Sequence, residues 1–158
     1  MPSAPEIEIA PDAAFDVTIA TDKGDIVMRL DAALAHQTVN NFVVQARRGF
    51  YDGLTFHRVV PGFVIQGGDP EGTGRGGPGY RFPDEPVRGE YTLGAVAMAN
   101  AGPDTNGSQF FICIEDCRDK LQPLYNLFGY VTSGIEVAQA IKVGDKMTSV
   151  TVTEVGAA

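Results

Sequence analysis

The 158-residue chain contains no tryptophan, only two cysteines and two histidines, and fewer basic than acidic residues, 12 against 20. A net charge of −8 argues against a nucleic-acid partner, because phosphate contacts need a basic surface patch. Cys113 and Cys117 have no companion ligands at metal-binding spacing, so we expect no metal site and no cofactor. Cys113 is interpreted as a small hydrophobe on a strand and Cys117 as a loop residue in a reduced protein.

Long hydrophobic runs are also missing, and none of the apolar stretches approaches the length needed to cross a membrane. The N-terminal stretch MPSAPEIEIAPDAAFD lacks the basic start and apolar core of a secretory signal. We therefore expect a cytoplasmic protein without a membrane partner. A monomer is the expected oligomeric state, although the sequence itself does not define it. The proline, alanine and glutamate content of residues 1–14 predicts a loose N-terminal arm, followed by a single domain over residues 15–158.

What the chain does contain is a series of short β-type segments, with alternating apolar residues or clustered β-branched and aromatic ones. They predict strands over residues 15–19, 26–30, 55–60, 63–66, 94–100, 109–114, 125–131 and 149–155. Helices are predicted over residues 36–48, where Gly49 is a typical C-terminal stop, and 134–141. Since an antiparallel sheet that closes removes its own edges, we expect a mainly β fold, a closed eight-stranded antiparallel β-barrel capped by two α-helices. Side chains should fill its interior, so a site should lie on the outer wall.

The stretch FYDGLTFHRVVPGFVIQGGD, residues 50–69, places two polar side chains in an apolar ribbon. Arginine is almost never fully buried unless it is paired, so Arg58 should point at a surface, a partner or a ligand. Gln66 adds a neutral amide nearby. On the strand over residues 109–114, alternation puts Phe111 on the face opposite Phe110. An outward Phe111 is either half-covered packing or the floor of an apolar groove, and the residues alone leave both readings open.

Several familiar chemistries are not supported by the remaining motifs. His36 and His57 are the only histidines, and neither stands in a nucleophile motif. Residues 72–77 match G-x-G-x-x-G, but Pro78 and Gly79 follow where a dinucleotide site would need a helix. An arginine, amides and aromatic rings without an evident general acid or base suit a reaction in which no covalent bond breaks.

Two long motifs, FHRVVPGFVIQGGD and MANAGPDTNGSQFFI, resemble those of the cyclophilins, a family of peptidyl-prolyl cis/trans isomerases. TDKGDIVMRL, TVNNFV and LFGYV match weaker family motifs, so the resemblance covers residues 15–155. It implies the same barrel and an enzyme that rotates Xaa-Pro bonds in peptides, unfolded chains or native proteins, assisting folding without a covalent intermediate. The alternative is a non-catalytic module that binds proline-containing peptides or acts as a chaperone. Arg58 favours the enzyme, because a pure binder has little use for an arginine directed at the imide.

The resemblance also implies roles for individual residues, with Arg58 as the catalytic arginine. The walls of the proline pocket are matched by Phe63, Val64, Phe111 and Leu121. Positions that grip the peptide backbone are matched by Gln66, Ala99, Asn100 and Gln109, with Asn100 acting largely through main-chain groups. Near the family's second, more variable subsite lie Thr105 and Arg81.

Three departures from the family pattern bear on ligands. Tyr125 stands where a histidine is common and could still close an apolar wall. Lys120 stands where the family often has the tryptophan that helps to hold cyclosporin, so cyclosporin binding is left open while isomerisation is expected. The segment over residues 118–124 differs from the family pattern in sequence and length. Val64 in place of the usual methionine is a milder change. His57 is expected to tie its strand internally rather than to act on substrate.

Overall fold

The computed structural model describes residues 4–155, and in them eight strands and two helices make a mainly β chain. In chain order the elements are β1 (Ala14–Thr21), β2 (Gly24–Asp31), α1 (His36–Arg47), β3 (Phe56–Val60), β4 (Val64–Gly67), β5 (Ala95–Met98), β6 (Phe110–Cys113), β7 (Leu127–Ser133), α2 (Ile135–Ala140) and β8 (Ser149–Val155). The predicted class and the predicted strands and helices are confirmed, with ends that agree to within two residues. No helix in residues 4–155 is long and apolar enough to span a bilayer.

The strands form one antiparallel sheet in the order β3-β4-β6-β5-β7-β2-β1-β8. The prediction of a closed barrel is wrong, because β3 and β8 are the two edges of an open half-barrel. β8 pairs with β1 along one side, and its other side does not pair with β3. The chain segments that precede the two edge strands meet instead. Their backbone bonds include Gly53 N to the Met147 carbonyl, 2.7 Å, and Met147 N to the Leu54 carbonyl, 2.8 Å.

The main core lies between helix α1 and the inner face of the sheet. Alternation along β1 sends every second residue into this core, as the period of a half-buried strand requires. The ring of Phe42 on α1 stacks on Tyr51 with centroids 4.6 Å apart, and it meets Phe110 of β6 edge-on at 5.4 Å. Because side chains fill this inner face, the outer face is left for a ligand.

Helix α1 depends on a loop far away in sequence for its N-terminal cap. Ala35 at the cap position supplies no side-chain bond. The carboxylate of Glu85 accepts hydrogen bonds from the backbone N–H groups of Gln37, 3.1 Å, and Thr38, 2.7 Å. A carboxylate at this end also interacts favourably with the helix dipole. The loop over residues 82–86 is thereby fixed to the helix.

Part of the N-terminal arm also contacts α1. The side chain of Asn40 accepts from the backbone N–H of Glu8, 2.8 Å, and donates to the carbonyl of Glu6, 2.9 Å. His36 Nε2 lies 2.8 Å from the carbonyl oxygen of Ile9. Residues 1–3 of the predicted arm and residues 156–158 lie outside the described residues. The looseness of the arm and the domain bounds stay predictions.

Candidate active site

Side chains from four neighbouring strands form a row on the outer face of the sheet. Strand register pairs Arg58 of β3 with Gln66 of β4, and Gln66 with Phe111 of β6. Phe111 pairs in turn with Ala97 of β5. Residues directly opposite each other project from the same face. The expectation that Phe111 faces away from Phe110 is confirmed, since Phe110 lies in the main core and Phe111 in a second apolar cluster outside it.

Two glutamine side chains connect Arg58 to the loop that follows β4. One terminal guanidinium nitrogen of Arg58 donates to Oε1 of Gln66, 3.3 Å, and Nε2 of Gln66 donates to Oε1 of Gln109, 3.0 Å. Nε2 of Gln109 donates to the carbonyls of Gly74 and Gly76, both at 3.0 Å. Because a carbonyl can only accept, these last two bonds fix which way the Gln109 amide points. Oε1 of Gln109 therefore faces Gln66 and accepts from its Nε2. The Gln66 amide in turn directs its Oε1 toward the guanidinium of Arg58.

The carboxylate of Asp69 organises this loop. Asp69 is 1% exposed and accepts hydrogen bonds from the backbone N–H groups of Glu71, Thr73, Gly74 and Gly76. Burial acts to raise the pKa of Asp69, but the four backbone bonds together outweigh it and hold the pKa below its usual value. The sequence analysis missed Asp69. The available signal was an aspartate ahead of a glycine-rich turn, where such side chains bond to the following backbone.

The guanidinium of Arg58 is exposed, and most of its N–H groups have no hydrogen-bond partner among residues 4–155. Apart from its bond to Gln66, it makes no hydrogen bond or salt bridge with residues 4–155. Arg118, by contrast, is paired with Asp116 at 2.7 Å. Since a guanidinium carries five N–H groups in a planar fork, Arg58 retains donors for a ligand that lies over the row.

Apolar side chains surround Phe111 on the same face. Phe111 is 4% exposed, and its ring meets that of Tyr125 edge-on with centroids 5.4 Å apart. Val64 is buried beside it, whereas Phe63, Leu121 and Tyr125 are half-buried. The five residues predicted to line the proline pocket therefore belong to one cluster, with a buried aromatic floor and partly open edges. We call this cluster the apolar platform.

Tyr91, which the sequence analysis missed, and Lys120 fix the edges of the apolar platform. The Tyr91 hydroxyl donates to the carbonyl of Tyr125, 2.6 Å, and accepts from the backbone N–H of the same residue, 3.2 Å. Burial raises the pKa of Tyr91 to about 12, so the hydroxyl keeps its proton. Lys120 Nζ donates to the carbonyl of Gly62, 2.7 Å, and ties the segment that carries Leu121 to the turn between β3 and β4.

Ala99 and Asn100 follow β5 and lie beside Gln109. The backbone N–H of Ala99 donates to the carbonyl of Gln109, 3.0 Å. The Asn100 side chain is used internally, since its Nδ2 donates to the carbonyl of Leu124, 2.9 Å. Its backbone N–H and C=O make no hydrogen bond to other residues of the described chain. These groups are therefore available to pair with a peptide, as the predicted main-chain role of Asn100 requires.

A cavity of about 1030 Å³ opens beside Gln66 and Gln109. Thr105 and Arg81, the residues predicted near a second subsite, both line it. The row of amides thus separates two adjoining regions, the apolar platform and this cavity. No group of three or more His, Cys, Asp or Glu side chains within residues 4–155 is placed to hold a metal ion.

His57 lies next to Arg58 on β3, and its Nδ1 is buried without a hydrogen-bond partner among the described residues. The expected internal tie is therefore not formed. Burial lowers the pKa of His57, the neighbouring Arg58 cation lowers it further, and Asp69 acts in the opposite direction. The ring is neutral at pH 7, so Arg58 is the cation that this part of β3 presents.

We expect His57 to make folding sensitive to mild acid. Because its pKa in the folded protein lies below the ordinary value of about 6.5, the unfolded chain takes up a proton at a higher pH than the folded chain does. The free energy of unfolding should therefore fall as the pH drops below that value, until the folded-state pKa is passed. Urea unfolding of the wild type and His57→Gln between pH 7 and pH 5 should show a smaller loss in the variant. Identical pH dependence in the two proteins would mean that His57 does not contribute to the loss of stability in mild acid.

Comparisons with known proteins give relatives over most of the chain. A family model described as cyclophilin-type peptidyl-prolyl cis-trans isomerase/CLD matches residues 16–157. The chain is 50% identical over 133 residues to peptidyl-prolyl cis-trans isomerase B of Bacillus subtilis, covering 83% of this chain and 92% of that protein. It is 48% identical over 137 residues to a peptidyl-prolyl cis-trans isomerase of Helicobacter pylori, covering 84% and 83%.

A solved structure is similar as well. The crystal structure of a Cryptosporidium parvum cyclophilin-type peptidyl-prolyl cis-trans isomerase, obtained in the presence of the dipeptide Ala-Pro, superposes with a TM-score of 0.80 at 31% identity. The match covers 87% of this chain and 98% of that one. The half-barrel is thus the scaffold of an isomerase. The chain belongs to the family of cyclophilin-type peptidyl-prolyl cis-trans isomerases.

Proposed function

We propose that Arg58 and the apolar platform catalyse rotation about the Xaa-Pro bond of a bound peptide without a covalent intermediate. The observation that carries this proposal is the row on the outer face, where an exposed guanidinium and Phe111 flank Gln66. A proline ring packed on Phe111 would place its imide within reach of the free donors of Arg58.

The chemistry follows from the nature of the barrier. Rotation costs about 18–20 kcal/mol because amide resonance is lost in the twisted state. In that state the imide nitrogen becomes pyramidal and regains a lone pair, so a fixed donor gains a hydrogen bond that is absent in either planar form. A catalyst must favour the twisted state over both planar ones. An acceleration of about 10⁵ corresponds to ~7 kcal/mol shared between this bond and the apolar surroundings.

The amides would hold this donor in place. Gln66 accepts from Arg58 on one side, and the chain of bonds through Gln109 ends on two backbone carbonyls of the loop that Asp69 organises. An arginine fixed in this way needs little reorganisation when the imide twists, which is the condition under which a donor stabilises a transition state most. The free backbone groups of Asn100 would hold the peptide strand alongside.

The experiment is exchange NMR on a short peptide with a single Ala-Pro bond, with and without catalytic amounts of the protein. Uncatalysed exchange takes tens to hundreds of seconds, so acceleration is visible as exchange cross-peaks between the cis and trans signals. We expect such cross-peaks with the wild type. A peptide that binds but exchanges at the uncatalysed rate would favour the non-catalytic binding module.

A role in assisting protein folding, the monomeric state and the cytoplasmic location stay predictions, and cyclosporin binding is left open. The Ala-Pro dipeptide used with the Cryptosporidium parvum relative supports Xaa-Pro peptides as the ligand class. The folding role would appear as a faster proline-limited phase when a substrate protein refolds in the presence of this chain.

A further inference from the structure

The cavity beside the amide row differs in charge from the rest of the protein. Gln66 and Gln109 belong both to its wall and to the row, so a peptide whose proline lies on Phe111 runs on into it. The other wall is made by residues 74–81, including two arginines, Arg75 and Arg81. These are its only charged lining residues within the described chain, although the protein as a whole carries a net charge of −8.

Both arginines are exposed, and their guanidinium groups are unpaired within the described residues. Neither side chain makes a hydrogen bond or a salt bridge with residues 4–155. Arg29 and Arg118, by contrast, are paired with Asp16 at 2.8 Å and with Asp116 at 2.7 Å. Two free guanidinium groups at one cavity therefore set its local potential.

Three acidic residues near this cavity accept hydrogen bonds from backbone N–H groups. Asp69 is buried and accepts four backbone N–H groups of its own loop. Asp84 accepts from the backbone N–H of Asp104, 3.2 Å, and Asp104 accepts from that of Asp84, 2.9 Å. Glu71 follows Asp69 in the loop. None of these four residues lines the cavity, but the carboxylates of Asp69 and Glu71 lie against Gly76 of its wall and reduce its positive potential from behind that wall.

We propose that this enzyme prefers peptides that carry an aspartate or glutamate side chain on the side of the proline that enters the cavity, with Arg75 and Arg81 as the specificity determinants. The inference rests on the proposed function, because it takes the proline to lie on Phe111. Exposed ion pairs are worth up to about 1 kcal/mol, so each arginine should contribute about two- to five-fold in affinity. The preference should weaken with added salt, as expected for solvent-exposed charges.

The test uses peptides with one Ala-Pro bond and a glutamate, glutamine or lysine placed three residues before or three residues after the proline. Affinity is measured by NMR titration, and kcat/KM by exchange NMR. At one of the two positions we expect the order glutamate, glutamine, lysine, with about ten-fold between the extremes. Arg75→Glu/Arg81→Glu should reverse this order. Arg88→Glu/Arg118→Glu, which makes the same change in net charge outside this cavity, should keep it.

The outcomes separate the inference from the proposed function. Equal affinity for the three peptides at both positions, with normal turnover, would overturn the inference and leave the proposed function intact. A charge preference that survives Arg75→Glu/Arg81→Glu would overturn it too, since its source would then lie elsewhere. Affinities that follow the order glutamate, glutamine, lysine and depend on the two arginines, with no acceleration of exchange, would support the role of the cavity. That result would contradict the proposed function instead.

Discussion

Replacing Arg58 with alanine should lower kcat/KM for an Xaa-Pro peptide by about 10²–10³, equivalent to about 3–4 kcal/mol, the usual effect of removing one preorganised donor to a transition state. The physical reason is that no other cation lies in the row, where Gln66 holds the guanidinium in position. Folding should hardly change, since the side chain is exposed and makes one long hydrogen bond of 3.3 Å. Exchange NMR gives the rate, and urea unfolding gives the stability.

Two further variants make the Arg58 experiment specific. Arg58→Lys keeps the charge but loses the planar fork, so we expect it to recover little of the lost rate. Arg88→Ala removes an exposed arginine that lies outside the row and should retain wild-type turnover. If Arg58→Ala isomerises the peptide at the wild-type rate, the guanidinium has no part in catalysis and the proposed mechanism fails.

Much of the fold could be predicted because its signals are local. A two-residue period and β-branched residues identify the strands, and a 3.6-residue period identifies the buried stripe of α1. What could not be predicted was the burial of the opposite side of α1, where Asn40, Asn41 and Gln45 are also enclosed. Those polar groups are satisfied by the arm, by the carbonyl of Gly107 and by the Tyr80 hydroxyl, all far away in sequence. The seam between the sheet edges likewise depends on contacts that no local pattern reports.

The candidate site was likewise predictable where its signals are local and unpredictable where it depends on contacts between distant residues. Alternation on one strand was enough to place Phe111 on the outer face, and the arginine in an apolar ribbon pointed to a surface, a partner or a ligand. The alignment of Arg58, Gln66 and Phe111 in one row depends on register across three strands, and a one-residue slip would send a side chain to the other face. The orientation of the amides depends on the loop that Asp69 organises, and an aspartate ahead of a glycine-rich turn does not by itself predict that this loop contacts Gln109.

Replacing Phe111 with alanine should both weaken peptide affinity, by about ten-fold or ~1.4 kcal/mol, and lower the free energy of unfolding by about 3–5 kcal/mol. Affinity falls because the floor on which the proline ring packs is lost, and stability falls because Phe111 is 4% exposed and supports the ring of Tyr125. Titration of an Xaa-Pro peptide followed by NMR measures the first effect, and urea unfolding measures the second.

The neighbouring residue provides the control that separates these two effects. Phe110 lies on the same strand with its ring in the main core, 0% exposed, so Phe110→Ala should destabilise the protein at least as much without touching the apolar platform. Should the alanine variants not fold, Phe110→Leu and Phe111→Leu remove less volume and keep the comparison. We expect weaker binding only in the Phe111 variant, because strand alternation turns its ring alone toward the peptide. Equal affinity in the two variants would mean that the proline does not bind on this face of the sheet.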